Sequence, residues 1–236
     1  MRRTRRNRTK NSTKLGLLFI TLLISLACVG TSYSHWSENL YIQCTARTGE
    51  WEVPGKTINL PTTPVNARFY YPPYHGGVEH GNASYWDVKL SGIPAGDYNV
   101  QNNVWYDDWC VNLYNYTYDN QTVQVILWSS LAYTNPSFPS SCLGNIGNAP
   151  NGMTWPCVNY IINHKGNANK DQIQAAIWYF IDGGVLPPPG SVARGLVDNA
   201  TNNVQTWYPN YPQHGDIVAV LLYTPIYQRT FIEVDP

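Results

Sequence analysis

The segment Asp171–Trp178, with the sequence DQIQAAIW, decides the fold because it changes the periodicity of the chain. Its aliphatic residues recur at the three- and four-residue spacing of one helix face. These residues are Ile173, Ala176 and Ile177. The pattern predicts a helix that begins at Asn169 or Asp171 and ends before the Gly183-Gly184 pair.

Two further helices are predicted, one on each side of this segment. Thr154 can cap the earlier helix, which has Pro156 in its first turn and Gly166 after its end. Ser191 can cap the later helix. Both have apolar residues at helical spacing, namely Val158, Ile161 and Ile162 in the earlier helix and Val192, Leu196 and Val197 in the later one. We therefore predict a helical insertion over about residues 154–200.

Short runs that alternate with a period of two lie on both sides of the helical region, as expected for strands. They fall at residues 56–60, 67–71, 85–90, 100–113 and 122–127 before the helices, and at 217–222 and 229–234 after them. Prolines and glycines separate the early runs. The combination predicts an α+β fold, with a β-sandwich or barrel interrupted by a helical insertion.

The first 34 residues have the composition of a secretory signal peptide. Seven Lys and Arg residues between Arg2 and Lys14 precede the apolar run Leu15–Val29, and small residues follow at Ser32 and Ser34. The apolar run has 15 residues, against about 20 for a membrane-spanning helix. We expect cleavage, with a signal-anchor as the alternative. Residues 35–236 then form one extracellular domain, secreted or associated with the cell surface.

Removal of the leader changes the net charge of the chain. The full sequence has 15 Lys and Arg and 15 Asp and Glu, and the leader holds seven of the basic residues and no acidic one. The remaining domain is acidic, which argues against a nucleic acid partner, since phosphates require a basic surface. Four Asn-X-Ser/Thr sequons fit an exported glycoprotein, and their asparagines are Asn82, Asn115, Asn120 and Asn199.

The domain has four cysteines, at Cys44, Cys110, Cys142 and Cys157. In an oxidising compartment an even number favours disulfides. Cys142 and Cys157 flank one Gly- and Asn-rich loop and form the natural pair. Cys110 is then either joined to Cys44 or left free to react.

Gln174 also has two interpretations. Cysteine and glutamine are the components of an internal thioester, which forms when the thiol displaces ammonia from the side-chain amide, so Cys110 and Gln174 are candidates for such a bond. Alternatively, Asp171 and Gln174 stand at the spacing of a helix capping box. In that interpretation the glutamine amide binds the main chain at the start of the helix and has no chemical role.

The segments around these two residues resemble known motifs. The sequence IQAAIW at Ile173–Trp178 resembles the glutamine signature of the bacterial and archaeal thioester domains, also called TQXA domains, and WCVN at Trp109–Asn112 resembles their cysteine motif. Residues 158–165 and 214–220 are similar to a helix and a late strand of that family. The resemblance extends over about residues 60–234. Ile173 stands where Thr is common and Asn112 where Asp is common, and neither departure removes a reactive atom.

The resemblance implies a chemistry. Cys110 and Gln174 would be joined as a thioester, and a primary amine on a surface protein or glycan would attack the former glutamine carbonyl. The protein would be consumed as a reagent in an acyl transfer, so it would not be an enzyme. Water would have to be excluded, and Trp109 and Trp178 are the candidate shielding aromatics. No cofactor is implied.

Other functions are open at the sequence level. A carbohydrate-binding module would use exposed aromatics, for which residues 70–74 and 207–211 are candidates. A passive sheath or surface-layer subunit is a second alternative. A cysteine hydrolase would pair Cys110 with a base such as His164, but no nucleophile motif surrounds Cys110. We predict no metal, since His75 and His80 lie in a Gly-rich loop whose spacing differs from zinc-protease motifs.

Overall fold

The computed structural model describes residues 58–71, 74–75, 78–79, 84–112 and 119–236. The predicted signal peptide, Cys44, and the sequon asparagines Asn82 and Asn115 lie outside these residues. Asn120 and Asn199, the other two sequon asparagines, are exposed. In the described part of the chain, no helix is long and apolar enough to cross a membrane.

Six antiparallel strands form a closed barrel in the order β1-β4-β5-β8-β7-β6. The strands are β1 (Val65–Tyr70), β4 (Trp86–Ser91), β5 (Trp105–Cys110), β6 (Thr122–Ser129), β7 (Val218–Tyr223) and β8 (Thr230–Val234). β2 (Tyr74–His75) and β3 (Val78–Glu79) form a separate two-stranded sheet. Of the two predicted β architectures, the structure has the barrel. It is closed because β1 pairs with both β4 and β6.

The barrel strands form where the sequence alternates or is continuously apolar. In β6 the side chains of Val123, Val125 and Leu127 are buried, while the residues between them are more exposed. This alternation is that of a strand with one face on a core. β7 is apolar throughout and buried on both faces, because the helices cover its outer side.

Three α-helices lie between β6 and β7 in the sequence, at the predicted place. They are α1 (Thr154–Asn163), α2 (Lys170–Ile181) and α3 (Val192–Trp207). Their apolar faces form a second core with the outward-facing side chains of β5, β7 and β8, among them Trp109, Leu221 and Phe231. The helical region extends to Trp207, further than the predicted boundary near residue 200.

The helix starts are set by capping side chains. Ser191 caps α3 as predicted, by accepting a hydrogen bond from the Arg194 N–H at 3.1 Å. Asn169 caps α2, and Gln172 completes a capping box with it. The alternative capping box of Asp171 and Gln174 is therefore absent. Thr154 does not cap α1; its hydroxyl donates to the Leu143 carbonyl at 2.6 Å.

Two predicted strands differ from the structure. Residues 58–60 are described and are not a strand. The run predicted at 100–113 contains only β5, because the chain turns at Asn103, whose φ of 63° is in the left-handed region. β5 therefore starts after this turn, and Cys110 is its last residue.

Candidate functional site

Cys110 lies at the end of β5 with its side chain inside the barrel. It is 2% exposed and packs in the interior core. On one side β5 pairs with β8, where Cys110 is opposite Thr230 and the Val111 N–H donates to the Arg229 carbonyl at 2.8 Å. Because hydrogen-bonding groups alternate in direction along an antiparallel strand, the N–H and C=O of Cys110 point to the other side, toward β4.

The side-chain amide of Gln174 satisfies both of these main-chain groups. The Cys110 N–H donates to Gln174 Oε1 at 2.9 Å, and Gln174 Nε2 donates to the Cys110 carbonyl at 2.9 Å. β4 starts at Trp86, opposite Asp108, so the strand does not extend to Cys110. The glutamine amide thus fills the ladder position that a further strand residue would occupy.

The position of Gln174 on α2 explains how the amide reaches a strand. Ile173, Ala176 and Ile177 are buried in the helical core, and Gln174 lies on the same buried side of the helix, with 1% of its surface exposed. A buried amide must be hydrogen-bonded, and Cys110 supplies both partners. The structure therefore brings together two residues that are 64 positions apart in sequence.

The surroundings of the Cys110 thiol hold it in its neutral form. Burial raises the pKa of the thiol well above its usual range, and the Asp108 carboxyl group raises it further. The polar groups of the nearby Trp86 and Gln228 side chains lower the pKa of the thiol. Gln228 Nε2 also donates to the Asn112 carbonyl at 2.9 Å, which fixes this side chain beside the end of β5.

A chain of aromatic rings lies next to the thiol. Trp178 contacts Tyr85 with 6.3 Å between ring centroids, Tyr85 contacts Tyr71 at 6.2 Å, and Tyr71 contacts Trp86 at 5.0 Å. Tyr85 is close enough to Cys110 for the thiol to contribute to the raised pKa of the phenol, after burial as the main cause. Trp178 thus belongs to the aromatic group beside Cys110, consistent with its predicted place in the site.

Trp109 lies elsewhere. Consecutive residues of a strand point to opposite faces, so Trp109 faces the helical core while Cys110 faces the barrel interior. Its Nε1 donates to Glu233 Oε1 at 2.6 Å, and the Lys165 ammonium lies 5.5 Å from the ring centroid. The prediction that Trp109 shields the thiol is wrong for this geometric reason.

The sequence did not indicate four residues of the site, namely Tyr71, Tyr85, Trp86 and Gln228. Tyr85 and Trp86 begin a predicted strand, and Gln228 lies in the turn between β7 and β8. None has a motif or a spacing that relates it to Cys110. The barrel register brings them to the site, and only the strand order defines that register.

The predicted disulfide between Cys142 and Cys157 is absent from the structure. Both thiols are free and fully buried, and Cys110 is also free. Trp155 is the residue of α1 that reaches the Cys142 segment, with its Nε1 donating to the Cys142 carbonyl at 2.7 Å. Cys157 follows two positions later, about 200° around the helix. Its side chain therefore leaves α1 in another direction, although both cysteines belong to the helical core.

His164 and the aromatic run at residues 207–211, which two alternative functions would use, make contacts elsewhere. His164 stacks on Tyr160 with 4.0 Å between ring centroids, and its Nδ1 lies 2.8 Å from the Tyr160 carbonyl. It is thus not the base of a Cys110 nucleophile. In the aromatic run at 207–211, Tyr211 is fully buried and Trp207 packs on it at 4.2 Å. This run forms part of a core and not an exposed sugar-binding platform.

No family model and no curated protein sequence matches the chain. The structure is similar to the N-terminal domain of the Streptococcus pyogenes pilus tip adhesin Cpa, with 12% sequence identity and a TM-score of 0.43, covering 78% of this chain and 100% of that one.

A second similar structure is the N-terminal thioester domain of a surface protein from Clostridium perfringens. The identity is 15% and the TM-score 0.32, over 72% of this chain and 98% of that one.

Proposed function

We propose that this protein is a secreted or surface-displayed adhesion domain, with an internal thioester between Cys110 and Gln174 that bonds covalently to an amine on a target. The pair of hydrogen bonds between the Gln174 amide and the Cys110 main chain carries the proposal. These bonds hold the side-chain carbonyl carbon of Gln174 against the residue whose sulfur would attack it.

The same hydrogen bonds suit formation of the bond. As Cys110 Sγ attacks the Gln174 Cδ atom, negative charge develops on Oε1, and the Cys110 N–H already donates to this oxygen. A fixed donor aimed at a developing charge lowers the barrier. The C–N bond then breaks, and Nε2 leaves as ammonia with the proton that the thiol has lost.

In the reaction with a target, the sulfur of Cys110 is the leaving group. A primary amine, for example a lysine side chain of a surface protein or an amino group of a glycan, adds to Cδ of Gln174. The bond to Sγ breaks, the sulfur regains a proton, and an amide joins the two molecules. No step regenerates the thioester, so the domain acts once and is not an enzyme.

Water is the competing nucleophile, and the structure limits its access. Cys110 and Gln174 are each no more than 2% exposed. The aromatic rings of Trp178, Tyr85 and Tyr71 lie beside them. Tyr71 is 46% exposed and forms the outer member of this group. We infer that a target amine enters past this ring.

Labelling with methylamine tests the proposal. The native protein should gain one methylamine, and peptide mapping should place it on Gln174. Cys110→Ala should abolish the labelling. Cys157→Ala is the matched control, because it also shortens a fully buried cysteine, and it should label normally. Labelling that persists in Cys110→Ala, or a native protein that takes up no amine, would contradict the proposal.

A further inference from the structure

Asp108 is a second polar residue on the inner face of β5. It precedes Cys110 by two positions, so the two side chains project from the same face of the strand. Asp108 also lies opposite Trp86 of β4 and Ile232 of β8. Both neighbours belong to the interior core, as does Cys110. Asp108 is fully buried, with no exposed surface.

Among the residues that the structure describes, no basic side chain acts on the Asp108 carboxyl group. The charged groups that act on Asp108 are Asp87 and Asp107, which are acidic like itself, and both raise its pKa in addition to the larger effect of burial. The nearby Thr230 hydroxyl on β8 lowers the pKa of Asp108. A buried, uncompensated acid is costly for stability, so its presence beside the thiol points to a chemical role.

The thioester reaction needs a group that handles one proton. The Cys110 thiol is neutral, and ammonia cannot leave Gln174 unless Nε2 gains a proton. The Cα atoms of Asp108 and Cys110 are about 7 Å apart along the strand. Side chains on one face can bridge this span directly or through one water molecule.

We propose that Asp108 carries the proton of the Cys110 thiol during formation and opening of the thioester. This inference rests on the proposed function. In formation, the ionised Asp108 accepts the proton from Sγ as sulfur bonds to Cδ of Gln174, and returns it to Nε2 as the C–N bond breaks. In opening, it takes a proton from the attacking amine and delivers it to Sγ as the C–S bond breaks.

The environment of Asp108 matches this role. A carboxyl group with a raised pKa is a stronger base than an ordinary aspartate. The pKa of Asp108 is therefore closer to that of the Cys110 thiol than the pKa of an ordinary aspartate would be. The ionised form is the active one, so the rate should fall as the pH falls through the pKa of Asp108. The groups that face it are Asp107 and Cys110 on β5, Asp87 on β4 and Thr230 on β8.

Asp108→Asn tests the inference, with Asp198→Asn as the control, because Asp198 is an exposed carboxyl group on α3 that pairs with Arg194. The rate of methylamine incorporation is measured over a range of pH and divided by the wild-type rate, so that the titration of methylamine itself cancels. Loss of a general base should slow Asp108→Asn by about 100-fold, with the ratio closest to one at low pH. The Asp198→Asn ratio should be flat and near one.

The outcomes separate this inference from the proposed function. If wild-type protein takes up no methylamine, the proposed function itself fails. If it does, and Asp108→Asn reacts at the wild-type rate with a flat ratio, the role of Asp108 is overturned while the thioester stands.

Thr230→Val decides the question if Asp108→Asn does not fold. This change removes the hydroxyl that lowers the pKa of Asp108, so the fall in rate should move to higher pH. An unchanged pH profile in Thr230→Val overturns the inference.

Discussion

Gln174 uses both ends of its side-chain amide on a single residue. The donor and the acceptor of the amide meet the C=O and N–H of Cys110, each at 2.9 Å. In most proteins such a glutamine would simply satisfy a buried main chain. Here Gln174 is bonded to a residue that has a thiol, the group that would attack the amide in the proposed reaction.

The hydrogen bonds of Gln174 should also be visible in stability. In a Cys110→Ala background, where no thioester can form, Gln174→Ala leaves two main-chain groups of residue 110 without partners. The free energy of unfolding should fall by about 2–4 kcal/mol. Gln172→Ala, which removes one half of the α2 capping box, should cost about 1 kcal/mol. Urea denaturation measures the loss of free energy of unfolding in each variant. Equal losses in Gln174→Ala and Gln172→Ala would contradict the prediction.

Asp108 should make stability depend on pH in a defined direction. Its pKa is raised in the folded protein, so the folded state holds its proton more tightly than the unfolded chain. The contribution of Asp108 to the free energy of unfolding should therefore be greatest below pH about 4 and fall as the pH rises through the folded pKa. Asp108→Asn should lack this part of the slope. Urea denaturation of both proteins at several pH values checks this, and parallel curves would contradict it.

At the scale of elements, side-chain amides of the helices form hydrogen bonds with the main chain of the barrel, as a neighbouring strand would. Gln174 of α2 pairs with Cys110. Asn163 of α1 accepts from the Ile217 N–H at 2.7 Å and donates to the Ile217 carbonyl at 2.8 Å. Asn159, one turn earlier, accepts from the Ala219 N–H at 3.0 Å. The ends of β5 and β7 are thus tied to the helices by hydrogen bonds and not only by apolar packing.

Asn159 should be the most sensitive of the α1 contacts. It is fully buried, and it bonds the Ser130 hydroxyl as well as Ala219. Asn159→Ala should lower the free energy of unfolding by about 2–4 kcal/mol, because it leaves the Ala219 N–H unpaired and opens a cavity. Asn203→Ala removes an exposed bond within α3 and should change it by less than about 0.5 kcal/mol. Thermal denaturation distinguishes these results, and similar melting temperatures would contradict them.

Much of the element pattern could be predicted from sequence, since helix spacing and turn residues are local signals. The Ser191 cap and the strands around Ala67, Val88 and Val125 are examples. The sequence leaves two starts open for α2, at Asn169 or Asp171, because Asp171 and Gln174 have the same spacing as Asn169 and Gln172, and only main-chain geometry distinguishes the two registers.

At the scale of the whole molecule, the closure of the barrel determines the site. The pairing of β5 with β4 and β8 brings Trp86, Thr230 and Gln228 to Cys110, and the covering helix adds Gln174. The sequence motifs point to Cys110 and Gln174 through a family resemblance. The residues around the pair could not be predicted, because their proximity depends on strand order and on which face of each strand is inward.

The most direct test of the central claim is the intact mass of the native, untreated protein. The account predicts a mass lower than that of the mature sequence by one ammonia, and recovery of the full sequence mass in Cys110→Ala, corrected for the substitution. Fragmentation should join the peptides that contain Cys110 and Gln174. A native mass equal to the sequence mass, with Cys110 titrating as a free thiol after unfolding, would contradict the account.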